Sequence, residues 1–191
     1  MNLNVLGQIK ETDKRAVAVV GSRDATKGGL LLTDQFIKEL VKNNITIVSG
    51  LARGIDTQAH ASALKYGGRT LSVLGSGLNN IYPSENKKLA EKITENGAVI
   101  SGFDDNEKPL PQNFLARNQL IVKLSLAVLV IEGKRRSGTI STANHAGNEG
   151  VEVFAVPGSE ATDFLIENGA TPVQNAKSII EYINNSWKKQ H

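Results

Sequence analysis

The 191-residue chain has no cysteine. That excludes disulfides, thiol nucleophiles and thiolate metal sites, and is compatible with a reducing compartment. No segment forms a secretory core or a run of about 18 apolar residues, so neither export nor membrane spanning is expected and the cytoplasm is the expected location. Aromatic residues make up only 5% of the chain, too few for a long stacking platform. Excess charge of one sign is also scarce, with 22 Lys and Arg against 19 Asp and Glu, a net charge of +3 and an isoelectric point near 9.1. Such a balance permits a polyanionic partner but falls short of a strongly basic nucleic-acid binder, so the placement of the cations has to decide. His60, His145 and His191 lack metal-ligand spacing among themselves or with nearby carboxylates, and no cofactor or metal is expected. Neither a Gly-x-Ser-x-Gly elbow nor a Walker-type Gly-x4-Gly-Lys-Ser/Thr loop occurs.

A hydrophobic content of 40% suffices for one core of ordinary size, and no break in composition marks a second unit. A single domain over residues 1–191 is therefore expected. Strand-like runs at Ala16–Val20, Ile45–Val48, Thr70–Leu74, Ala98–Ile100, Ala127–Glu132 and Val151–Val156 alternate with segments of helical period, the mark of repeated βαβ units. Runs such as Val17-Ala18-Val19-Val20 suit strands covered on both faces. The expected class is α/β, a doubly wound and mostly parallel sheet with helices on both faces. Helices are expected between the first two strands, from near Asp56 with that residue as cap, and after Pro83 with Ser84 as cap. Others are read over Phe114–Leu124 with Phe114 in its packed stripe, near Gly138, near Asp163 and around Ile179 to Ile183. Asp104 to Gln112 reads as a polar loop.

Chemistry gathers at the strand ends. Gly21-Ser22-Arg23 follows the first strand, and Ser49-Gly50-Leu51-Ala52-Arg53-Gly54-Ile55-Asp56 follows the second. In a parallel sheet these ends lie side by side, where small residues let backbone N–H groups approach an anion and Arg23 and Arg53 supply charge. After the strand ending at Glu132, Gly133-Lys134-Arg135-Arg136-Ser137-Gly138-Thr139 joins cations, a flexible glycine and hydroxyls to a helix start, a second phosphate-seeking element. Asp56 and Glu132 are available as acid or base, although capping and structural pairing account for them equally well.

These motifs, with Ala59-His60, Gly75-Ser76-Gly77-Leu78, Tyr82-Pro83, Arg117-Asn118 and Phe154-Ala155-Val156-Pro157-Gly158, occur in an order that resembles the DNA-processing protein A family, also called Smf. The resemblance is collinear over about residues 16–183. It implies an extended Rossmann fold that binds single-stranded DNA without catalytic turnover, as a homodimer, and that delivers incoming strands to the RecA recombinase in natural transformation. Carried over by position, Arg23 and Arg53 hold phosphates, Gly21, Ser22, Ser49, Gly50 and Gly54 bring backbone amides near them, and Lys134, Ser137, Gly138 and Thr139 complete the groove. The chain departs from the family pattern at Gln119–Lys123, at Ser101-Gly102 and at Asp163. The domains that often flank this core are not expected within these residues. Two other readings of the same pocket are a sensor of a small nucleotide signal and a nucleoside-monophosphate phosphoribohydrolase of the lysine-decarboxylase-like group. The latter's Pro-Gly-Gly-x-Gly-Thr pattern is missing here.

Overall fold

In the computed structural model, which describes residues 3–190, strands and helices alternate along most of the chain. They are β1 (Asn4–Gly7), β2 (Ala16–Val20), α1 (Lys27–Lys42), β3 (Thr46–Ser49), α2 (Ile55–Lys65), β4 (Thr70–Leu74), α3 (Lys87–Glu95) and β5 (Gly97–Ser101). There follow α4 (Pro111–Lys123), β6 (Ala127–Val130), α5 (Gly138–Asn148), β7 (Glu152–Ala155), α6 (Glu160–Glu167), β8 (Thr171–Pro172) and α7 (Lys177–Gln190). The strands form one sheet in the order β1-β5-β4-β3-β2-β6-β7-β8. Every pairing is parallel except that of β1 with β5. The fold is thus the expected α/β class, a Rossmann-like, doubly wound sheet. Among the described residues no helix is long and apolar enough to cross a membrane.

Alternation along each central strand divides the core between two faces. On β2, Val17 and Val19 meet α1, α2 and α7 through Phe36, Ile37, Leu40, Ile55, Ala59, Ile179 and Ile183. Ala16, Ala18 and Val20 point the other way, toward Ile121 and Val122 of α4, Ala143 and Ala146 of α5 and Leu165 of α6. A smaller cluster seats Ala90 and Ile93 of α3 against Leu74 and Val99. At the sheet's amino edge Arg69 and the buried Asp13 form an ion pair at 2.7 Å. Thr46 Oγ1 and the Lys10 amide also donate to that carboxylate, leaving it hydrogen-bonded on both oxygens.

Local expectations need four corrections. Asp56 does not cap α2; its carboxylate accepts the N–H groups of Gly50 and Ala52 in the preceding turn. Ser84 opens a 3-10 turn (Ser84–Asn86) before α3 and caps nothing with its side chain. Helix α4 starts at Pro111, within the segment read as loop, because proline suits the first helical position. Helix α6 starts at Glu160, where Ser159 accepts from the Thr162 N–H as its cap.

Candidate functional site

From β2 the chain builds outward through β3, β4 and β5, then returns by way of α4 to lay β6 on the other side of β2. Val20 pairs with Val130 in register, so the turns after β2 and β6 leave the sheet side by side and diverge. Such a switch point is where open α/β sheets place their ligands. A cleft of about 690 Å³ opens there.

Its lining falls into three groups. The first is the turn Gly21-Ser22-Arg23. A β-carbon on Gly21 would lie 2.6 Å from Ile55 Cγ1 and 3.0 Å from the Glu132 carbonyl oxygen, so glycine is what lets this turn nest between α2 and the end of β6. The Ser22 N–H donates to Glu132 O at 2.9 Å, and Ser22 O accepts the Ile55 N–H at 3.1 Å. That second bond occupies the start of α2.

The second group is the start of α5 with its leading loop, including Lys134, Arg136, Ser137, Gly138 and Thr139. Ser137 stands at the N-cap position, yet its Oγ donates back to Lys134 O at 2.7 Å and caps no amide. The first turn of α5 carries no acid. A β-carbon on Gly138 would meet nothing within 4 Å. Free amides at the positive end of a helix dipole, next to Lys134 and Arg136, therefore open onto the cleft. By contrast, α1 is closed: Thr26 Oγ1 accepts the Gly29 N–H, and the Glu132 carboxylate takes both the Thr26 amide and hydroxyl at 2.7 Å.

The third group is apolar and aromatic: Tyr82, Pro109, Pro111, Phe114 and Leu115. The Phe114 ring lies 5.6 Å from the Arg23 guanidinium and 5.8 Å from that of Arg117, with Tyr82 at 5.7 Å. Phe114 thus leaves the packed stripe of α4 for the cleft. It fits because Gly75 lacks a side chain: a β-carbon there would come within 2.6 Å of the ring.

Beneath these groups lie two buried charges, Asp56 and Arg117, each 6% exposed. Arg117 Nη1 donates to the carbonyls of Gly50 and Val73 and so fastens the ends of β3 and β4 together. Burial pushes the Arg117 guanidinium down to about 10, against the upward pull of Asp56, while Arg23 pushes it further down. Burial likewise raises the Asp56 carboxyl to about 6, opposed by Arg117, by the Ala52 and Gly50 amides and by Arg23. Nearby, His60 is fully enclosed with Nδ1 2.7 Å from Thr70 Oγ1. Burial, followed by the Arg117 charge, pushes its imidazole down to about 3, so it is neutral at physiological pH.

The cleft brings together Gly21, Ser22, Arg23, Lys134, Ser137, Gly138 and Thr139. Four other residues read from the sequence lie elsewhere. Ser49 is enclosed and its Oγ donates to Val19 O at 2.6 Å. The Gly50 amide faces Asp56 at 3.2 Å, and its α-carbon lies against Arg117. Gly54, at φ +72°, packs on the Ser22 carbonyl. Arg53 projects from the rim, beside the cleft-lining Ala52, and pairs with Glu85. Among the described residues no group of three or more His, Asp or Glu could hold a metal ion.

A doubly wound, mostly parallel sheet with a cleft at its switch point places the chain among Rossmann-like proteins. More narrowly, the chain belongs to the family of DNA recombination-mediator protein A, whose model matches residues 1–184. It is 42% identical over 170 residues to the DNA processing protein DprA of Streptococcus pneumoniae, covering 86% of this chain and 60% of that protein. Protein Smf of Escherichia coli is 41% identical over 186 residues, covering 94% and 50%. The chain spans about half the length of the curated relatives it matches. Among solved structures, DprA of S. pneumoniae superposes with a TM-score of 0.89 at 40% identity, over 94% of this chain and 65% of that one. DNA processing protein A of Helicobacter pylori, described for its single-stranded DNA binding mode, gives a TM-score of 0.87 at 32% identity, over 99% and 87%.

Proposed function

We propose that the cleft binds single-stranded DNA through its backbone phosphates, without turnover and with little sequence preference. The observation that carries this reading is the uncapped start of α5 beside Lys134 and Arg136, facing Arg23 across the switch point. Phe114, flanked by Arg23 and Arg117, offers a surface for one nucleobase. The single-stranded DNA binding mode described for the H. pylori relative supports the same ligand class. Asp56 and Glu132, the two acids read from the sequence as available for acid–base work, are both engaged by backbone amides. The reading extends to a homodimer in the cytoplasm that passes its strand to the RecA recombinase; light scattering with and without strand, and a RecA pull-down, test those two parts.

Titration of a fluorescent oligo-dT against NaCl tests the core of the proposal. Affinity falls steadily with salt, and Arg23→Ala weakens binding and flattens the log–log slope by about 0.7, the value for one phosphate contact on a single strand. A salt-independent affinity, or an Arg23→Ala variant that binds like wild type, rejects the cleft as a phosphate groove. Excess AMP leaves the oligo-dT complex in place.

A further inference from the structure

We propose that Glu85 sets the affinity of this cleft by competing with phosphate for Arg53, an inference that rests on the strand-binding reading above. Arg53 Nε donates to Glu85 Oε1 at 2.5 Å and Nη2 to Oε2 at 3.1 Å. This two-pronged grip uses the same edge of the guanidinium that a phosphate would take, so carboxylate and phosphate exclude each other there.

Both partners are held on one frame. Glu85 belongs to the 3-10 turn Ser84–Asn86, and its buried neighbour Asn86 donates from Nδ2 to Leu51 O at 2.8 Å and to Thr57 Oγ1 at 2.7 Å. Thr57 Oγ1 in turn donates to Ala52 O at 2.6 Å. Leu51 and Ala52 are the two residues leading into Arg53, so the turn bearing the acid is bonded to the turn bearing the arginine. The pair therefore needs little further ordering of the backbone.

Its position is at the cleft's edge. Ala52, the residue before Arg53, and Tyr82, close to Glu85 along the chain, both line the cleft. Its side chain is 59% exposed and that of Glu85 51%, so water weakens the pair enough for a strand to displace it. Ligand that reaches only Arg23 and the start of α5 leaves the pair closed. A longer strand with a phosphate over the rim recruits Arg53 and must break the pair.

The test is a titration of fluorescent oligo-dT at several NaCl concentrations with wild type, Glu85→Gln, Arg53→Ala and the double variant, each first checked for an unchanged melting profile. Glu85→Gln binds about two- to fivefold tighter, the range set by an exposed ion pair. That gain vanishes in the Arg53→Ala background. Equal or weaker binding by Glu85→Gln, or a gain that persists without Arg53, overturns the proposal. If that result appears while Arg23→Ala still loses affinity, the strand-binding reading stands and only the role of Glu85 falls; absence of oligo-dT binding by wild type removes both.

Discussion

Gly50 shows why part of the site was hidden in the sequence. A glycine at a strand end signals that something approaches the backbone closely, and the motif around it led to an anion as the visitor. The visitor is a guanidinium from the same chain: Arg117 occupies the space and binds the Gly50 carbonyl, while Asp56 takes the amide. Sequence spacing gives no sign of a side chain arriving from a helix far along the chain. Phe114 is the converse case, an apolar residue at helical spacing that serves the cleft because Gly75 leaves room for it. The buried residues around Gly50 also make a measurable prediction. Asp56 binds its proton more tightly in the folded state, so its contribution to stability is fully present below about 3.8 and lost as pH rises through about 6. His60 behaves in the opposite sense, contributing above about 6.5 and losing that contribution as pH falls through about 3. Between about pH 4 and 6 the two slopes, each about 1.4 kcal/mol per pH unit at most, oppose each other. Relative to wild type, Asp56→Asn therefore gains stability as pH rises through this interval, and His60→Gln loses it. Urea unfolding at three pH values checks both signs; parallel profiles for the three proteins would sink the assignment.

At the scale of elements, the central strands were legible because burial on both faces demands unbroken apolar runs such as Ala16–Val20 and Ala127–Val130. The edges were not. Strand β1 has four residues and is mostly exposed, and β8 is the dipeptide Thr171–Pro172, so neither carries an apolar run or an alternation long enough to read. Helix starts were readable in place but not in chemistry, since a hydroxyl or acid near a helix start does not reveal where it points. Ser159 caps its helix; Ser137 turns away from its own. That difference predicts opposite responses to one substitution. Ser137→Asp puts a carboxylate at the open end of α5, raising stability by about 0.5–1 kcal/mol through capping and the dipole. The same charge occupies the amides proposed for phosphate, so oligo-dT affinity drops several-fold while urea unfolding shows the gain. A variant that gains both stability and affinity would mean that ligand does not use this helix end.

For the molecule as a whole, sequence periodicity conveyed the doubly wound architecture, and hence the side of the sheet on which ligands gather, because each βαβ unit declares itself locally. Which turns become neighbours is a matter of strand order, decided only when β6 takes its place beside β2. The two cationic segments of the cleft, one after each of these strands, are therefore far apart along the chain and adjacent only in the finished sheet. An unfolded chain offers no equivalent grip. Occupancy of the cleft thus acts as a clasp across the middle of the sheet, with folding and binding thermodynamically linked. At free strand about a hundredfold above the dissociation constant, the linkage contributes roughly 2.7 kcal/mol, a rise in melting temperature of about 5–10 °C for a chain of this size. Calorimetry with oligo-dT present would register that shift, and Arg23→Ala would shrink it.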